Sequence, residues 1–418
     1  MHYCIIGTQI NSLHAALLAI EAGHEVSLYL DLDKDVILND PTHGIFRVRN
    51  REVIENLYGP LVDLGAPEQA LFWDGQTHKS RLRKRSMLRS GSLGSQMLQD
   101  LQKARIRLKF SNFTGDAKEE RSMANWLERR LGGVATKHIY EPYASQRWGT
   151  GLDMLSNTLA RHHFFQQEAG DYCAIGGTYT SALQGLLSKV KNKIQFHTSL
   201  PLKVDKIAKE QWSITTNTGI QSHNGPLLVC LAPQHLQKCF AVNKSVEVDL
   251  DALQFSHLQL ASIRVEGHHN IHDLHVFDPE LPFFRVCFPY GQKEQAYLHL
   301  KDGQFSDEEI ASSFHRLGIG NLVGDMHIER ITLKDHTPIW TIGCLARHRR
   351  LIRHFESESV FFFGRHGLFT ELTLPEELDY LDSLFRRPDV DAAEHQRVFL
   401  YPKPRIEDYN VEIGMVYR

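Results

Sequence analysis

The chain has 418 residues, 42% of them hydrophobic and 10% aromatic, with a formal net charge of −3. That length exceeds one simple core and predicts two domains, sequential or interleaved. The near-neutral charge offers no field for nucleic acid or an anionic membrane, and no apolar run is long enough for an integral membrane segment. A soluble, cytoplasmic protein is expected.

In chain order, Tyr3–Gly7 is a short apolar strand ending in glycine, and with a strand this early no signal peptide is expected. An amphipathic helix over Ser12–Ala22 stops at Gly23, and a second strand, Glu25–Leu30, ends at Asp31. This is a βαβ opening with an acidic residue about where a ribose-binding carboxylate belongs. Where the dinucleotide motif has Gly-x-Gly-x-x-Gly, the chain reads Gly7-Thr8-Gln9-Ile10-Asn11-Ser12. Gln9 puts a long side chain where a pyrophosphate approaches the backbone, whereas Ser12 is small enough to be tolerated. Leu30 stands where the carboxylate usually falls. Two readings follow: a dinucleotide-binding half, or a Rossmann-like half that has lost or altered its ligand.

A loop over Asn39–Gly44 contains Asp40-Pro41-Thr42-His43-Gly44, and a helix is predicted over Arg51–Leu64. Lys79, Arg81, Arg83, Lys84, Arg85 and Arg89 form either a patch for an anionic substrate or a charged edge strand guarded against pairing. Residues 95–170 read as helices over Gln96–Ala104, Ala117–Leu131 and Gly133–Tyr143, then a turn at Trp148-Gly149. Gly176-Gly177 opens a helix over Tyr179–Lys191. Strands return at Ile194–Thr198, Lys203–Ile207, Gln211–Thr216 and Leu227–Leu231, and three strand-like runs between 255 and 300 form the floor of a second domain. The six cysteines have no Cys-x-x-Cys spacing, so they are expected reduced and mostly buried, with no zinc site or disulfide framework. His268, His269, His272 and His275 are dense but lack metal-ligand spacing and are read as solvated. Arg347–His354 reads as the basic face of a helix.

The most informative stretch comes last. The apolar run Val360–Phe363 ends at Gly364-Arg365, and Thr373-Leu374-Pro375-Glu376 is a capping box with proline two places after the cap. A strand feeding through glycines into a helix start gathers free N–H groups for an anion, and Arg365 adds a cation able to grip a pyrophosphate.

With these segments in order, the chain resembles the flavoprotein superfamily of amine oxidases, protoporphyrinogen oxidases and UDP-galactopyranose mutases, most closely the protoporphyrinogen oxidase and mutase branch. Pro41–Phe46 is similar to a segment beside the flavin. Trp126–Gly132, Tyr143 to Gly149 and Leu155-Ser156 are similar to the family's helical insertion. Gly176-Gly177, Leu228–Pro233, Pro282–Arg285 and Pro338-Ile339-Trp340 with Val360–Phe369 resemble further segments. The resemblance implies an α/β fold, a Rossmann-type FAD-binding domain (1–75, 171–235, 335–390) interleaved with a sheet-and-helix substrate domain (76–170, 236–334), and a tail over 391–418. It implies FAD, held on its ADP side by Gly7, Thr8, Gln9, Ile10, Asn11, Ser12 and Asp31, with Val204 meeting the adenine through its backbone. Gly364, Arg365, Phe369 and the Thr373 helix start would cover the pyrophosphate and ribityl end. His43 and Arg285 would lie on the flavin or substrate side. The family often carries a methionine–aspartate pair where this chain has Leu374-Pro375.

No triad, metal signature or cysteine nucleophile competes for catalysis, and flavin supplies redox chemistry by itself. His43 is read as a proton acceptor, a tuning hydrogen-bond donor or a loop cap. Arg285 is read as orienting a carboxylate or phosphate, or as a structural ion pair. Trp148 is read as core and Phe284 as a possible pocket wall. The expected function is a flavin-dependent oxidoreductase acting on a C–N or C–C bond of a small molecule. A non-redox mutase-like flavoenzyme and a catalytically silent binding or scaffold relative are the alternatives. Substrate and oligomeric state are not written in the sequence.

Overall fold

The computed structural model describes residues 1–8, 10–31, 45–48, 51–64, 68–79, 91–110, 121–160, 171–175, 179–267, 271–289, 294–323, 328–370 and 374–386. Five parallel strands, β1 (His2–Gly7), β2 (Glu25–Leu30), β8 (Gln195–His197), β12 (Leu227–Cys230) and β19 (Val360–Phe362), lie in the order β19-β12-β1-β2-β8. Apolar side chains on both faces suit these strands to the middle of an α/β layer: β12 is buried at every position and β1 at every position but the first. Gly7 stands level with Leu30 on one side and Cys230 on the other, so three strands end together. The helix α1 (Asn11–Glu21) leaves from that point toward β2, while β12 lies on the opposite side of β1. That is a topological switch point, where open α/β sheets bind their ligands.

A second, mixed sheet has eight strands: β5 (Glu68–Trp73), β6 (Gln76–Lys79), β13 (Gln254–Glu266), β14 (Ile271–Val276), β15 (Phe283–Cys287), β16 (Gln295–Leu300), β17 (Asn321–Leu322) and β18 (Glu329–Ile339). Alternation gives it two different faces. Leu274, Val276, Phe283 and Leu298 pack with Ile310 and Phe314 of the helix Asp307–Arg316 in an apolar core. Asp273, His275, Arg285 and His299 belong to the opposite face, with Tyr143 of the helix Glu141–Trp148. Two three-stranded antiparallel sheets complete the strands: β9 (Lys203–Ala208), β10 (Gln211–Thr216) and β11 (Gly219–Asn224), and β3 (Ile45–Val48), β7 (Asp171–Ile175) and β4 (Leu61–Leu64).

Several expectations are corrected. The helix predicted over 51–64 is α2 (Arg51–Tyr58) and ends at Gly59-Pro60, because glycine at φ 86° followed by proline stops it, and Leu61–Leu64 pairs with β7 as a strand. The helix expected to begin at Ala117 starts at Met123 among the described residues, after Ser122 accepts the Asn125 N–H as its cap. The one expected over Gly133–Tyr143 continues through a π-helical turn to Trp148. Helix Tyr179–Lys191 and strands β2 and β10 stand where predicted. All six cysteines are free and buried. No described helix is long and apolar enough to cross a membrane.

Candidate functional site

The turn after β1 is closely packed. A methyl group added at Gly7 would come 2.0 Å from Ser12 Oγ, so the small residue at the strand end makes space for the serine on the helix. Ser12 is fully buried, and its hydroxyl has no hydrogen-bond partner among the described residues. Ile10 caps α1 without a side-chain hydrogen bond, and no acidic residue occupies the first turn of the helix. Such a helix start carries free N–H groups and the positive end of the helix dipole. The Thr8 N–H bonds the Cys230 carbonyl at 3.4 Å, tying the turn to β12.

The segment after β19 closes over it. Gly364 has φ 66°, and a methyl group there would meet Cys230 Sγ at 2.7 Å and Asn11 Nδ2 at 2.8 Å. Between the strand and the helix start that the sequence predicts, the structure has a short helix, Gly364–Leu368, ended by Phe369 in the left-handed region at φ 50°. Trp340 Nε1 donates to the Phe369 carbonyl at 2.6 Å and fixes that ending. His366 is buried and bridges two segments. Its Nε2 donates to the Asp335 carbonyl at 2.7 Å, so Nδ1 accepts from Thr8 Oγ1 at 3.3 Å. Burial pushes the His366 imidazole down to about 3, and it is neutral at ordinary pH. Arg365 Nη1 donates to the His336 carbonyl at 3.0 Å. The structure thus brings Gly7, Thr8, Ile10, Asn11, Ser12, Gly364 and Arg365 to one junction. Asp31 follows the end of β2, and Phe369 packs edge-on against Phe255. Val204 lies in β9, paired with Ile214 and bridged to Phe240. Gln9, His43, Thr373, Gly176-Gly177 and most of the basic stretch lie outside the described residues.

An uncapped helix start and an orphaned buried hydroxyl at a switch point fit the pyrophosphate of a dinucleotide such as FAD. One neighbour opposes it. Glu377, 4% exposed on the helix Leu374–Arg386, accepts from Asn11 Nδ2 at 2.5 Å and from His14 Nδ1 at 3.3 Å. His14 Nε2 lies 2.5 Å from the Tyr58 hydroxyl on α2. Sequence reading passed over this network; its signal was His14, a polar residue on an apolar helix face, where burial demands a partner.

The second cluster lies on the large sheet. Arg285 Nε and Nη2 donate to the two oxygens of Asp273, each at 2.8 Å. His275 Nε2 is 3.5 Å from the same carboxylate, and Tyr143 OH is 3.3 Å from His275 Nδ1. Cys287 Sγ is 3.5 Å from His299 Nε2. Burial alone would raise the Asp273 carboxyl, but Arg285 and then His275 outweigh it and hold it well below the usual carboxylate range. Burial pushes the His275 imidazole down, more than Asp273 pulls it up. Of the two readings for Arg285, the ion pair is present, and it engages only one edge of the guanidinium. Trp148 and Phe284 are both buried.

No protein-family model matches the chain, and no curated protein sequence matches it. Solved structures do. Reduced UDP-galactopyranose mutase is similar with a TM-score of 0.70 at 13% identity, over 98% of this chain and 96% of that one. A protein from Exiguobacterium sp. 255-15 described as a candidate protoporphyrinogen oxidase is similar with a TM-score of 0.66 at 14% identity, covering 93% and 98%. Cyclohexylamine oxidase from Brevibacterium oxydans IH-35A is similar with a TM-score of 0.62 at 12% identity, covering 95% and 99%.

Proposed function

We propose that the protein is a FAD-dependent oxidoreductase acting on a C–N or C–C bond of an anionic small molecule. Its fold is shared over nearly full length with enzymes of the superfamily that the sequence resembles. The observation that carries the reading is the junction where Gly364 presses on Asn11 beside an uncapped α1 and the unpartnered Ser12 hydroxyl. Gly7, Thr8, Gln9, Ile10, Asn11 and Ser12 would hold the pyrophosphate, with Asp31 at the ribose and Val204 near the adenine. Gly364, Arg365, Phe369 and Thr373 would cover the remainder.

When bound, FAD supplies the acceptor for a hydride. The chain's own task is orientation and exclusion of water. Asp273 fixes one edge of the Arg285 guanidinium, so the other edge can grip a carboxylate or phosphate of the substrate. His43 would accept a proton from the reacting group or tune its hydrogen bonding. The substrate domain, 76–170 and 236–334, would then sit against a discontinuous cofactor-binding domain.

A second reading, mutase-like non-redox chemistry, draws on the whole-length likeness to UDP-galactopyranose mutase. The test is an absorbance spectrum before and after incubation with excess FAD and desalting, followed by turnover assays. Flavin bands with oxygen-dependent turnover support the oxidoreductase; activity only after a reductant supports the mutase-like reading. A colourless protein that cannot be reconstituted points to a catalytically silent relative.

A further inference from the structure

Four side chains from three helices close a hydrogen-bond chain on α1, and only Asn11 among them belongs to the residues proposed above for the pyrophosphate. Tyr58 on α2 reaches His14 Nε2, His14 Nδ1 donates to Glu377 Oε1, and Asn11 Nδ2 donates to Glu377 Oε2. Since a carboxylate only accepts, His14 donates its Nδ1–H to Glu377 and accepts the Tyr58 O–H at Nε2. Among the described residues, the hydrogen bonds to the carboxylate thus come from α1. The network is dry: Asn11 is 9% exposed, His14 1%, Tyr58 8% and Glu377 4%.

Its position matters more than its strength. Asn11 is the first residue of α1, and its amide side chain separates Glu377 from Gly364, whose added methyl would lie 2.8 Å from Asn11 Nδ2. Burial, and next the Glu377 carboxylate, push the Cys230 thiol up to about 12, and that sulfur is itself against Gly364. The field of Glu377 therefore reaches the turn that would receive a pyrophosphate. In a buried setting with little water the repulsion between two anions is poorly screened. Both would also draw on one helix dipole.

We propose that Glu377 is a built-in counter-anion at the start of α1 that lowers affinity for the dinucleotide pyrophosphate and makes the cofactor exchangeable. The proposal rests on the FAD reading above, and it accounts for a superfamily-like junction that carries its own negative charge. Glu377 here determines affinity; it touches no reacting atom.

Glu377→Gln tests this, because the amide can keep the geometry. Its oxygen accepts from Asn11, its nitrogen donates to His14 Nδ1, and His14 changes tautomer to donate from Nε2 to the Tyr58 oxygen. A change in affinity then reports charge, not packing. FAD is titrated into apoprotein by flavin-fluorescence quenching, with release followed by dilution. The expected result is at least tenfold tighter binding in E377Q and slower release. Equal or weaker binding in E377Q, with FAD bound by the wild type, overturns the proposal and leaves the cofactor reading standing. Failure of both proteins to bind FAD overturns both. Should E377Q not melt cooperatively, Glu377→Met, similar in volume and uncharged, is titrated with the same expectation.

Discussion

Arg285 and Asp273 meet fork to fork on adjacent strands, with two parallel hydrogen bonds of 2.8 Å. The pair lies on the face of the large sheet that turns away from its apolar core, where charge is kept only in company. Asp273 thereby aims a cation that would otherwise sample many directions.

Asp273→Asn leaves that cation without its counter-charge. The side chains keep 15% and 24% exposure, so the loss should fall near ~3 kcal/mol, the low end for a broken buried pair. Because the native carboxyl is held below its ordinary value near 3.8, its contribution is complete above that value and declines as pH falls toward the depressed native one. Urea unfolding of both proteins at neutral pH and at about pH 3 checks this: the gap narrows at the lower pH.

The buried histidines predict a pH dependence of the same sign. Burial pushes His348 down to about 4 and His366 to about 3, whereas an unfolded imidazole titrates near 6.5. The unfolded chain therefore binds more protons over this interval, and stability falls as pH drops from about 6.5 toward 4. Each histidine contributes about 1.4 kcal/mol per pH unit there. Unfolding free energies of His348→Leu across the interval should have a slope shallower by one proton. An unchanged slope would mean that His348 is protonated in the fold.

Gly7 and Ser12 form an interlocking pair. Gly7→Ala drives a methyl into the Ser12 hydroxyl, at 2.0 Å before relaxation, and should cost about 2–3 kcal/mol. Ser12→Gly opens that space, so the double variant should recover most of the loss. A double-mutant cycle in thermal or urea unfolding reads this coupling; additive losses would show that the two residues do not share the space.

Trp340→Phe keeps the aromatic packing but removes the indole N–H from the Phe369 carbonyl, a buried bond of 2.6 Å. A loss of ~1–3 kcal/mol is expected for an acceptor left unpaired. The same variant should loosen the left-handed ending at Phe369, read as faster amide exchange over 364–370.

Much of the fold was legible because single periodicities carried it. The β1–α1–β2 unit and helix Tyr179–Lys191 announce themselves through apolar spacing and glycine stops. The end of the helix predicted over 51–64 is not legible, because the apolar residues beyond Gly59-Pro60 suit helix and strand alike and their partner β7 lies more than a hundred residues away. The Gly364-Arg365 turn was legible as a landmark, but its five-residue helix was not, since Asp335 of β18 and Trp340 just beyond that strand shape it. Arg285 was legible as a charge; its pairing required strand register that sequence does not reveal. Glu377 was hidden by distance, since Asn11 and Glu377 lie 366 positions apart.

The central claim is that a dinucleotide sits where β1, β12 and β19 end. Amide hydrogen exchange with and without saturating FAD tests this most directly. The account predicts protection at residues 7–14, 229–232 and 363–370 and little change in the helix Asp307–Arg316. Flavin binding that leaves those three segments unprotected would contradict it.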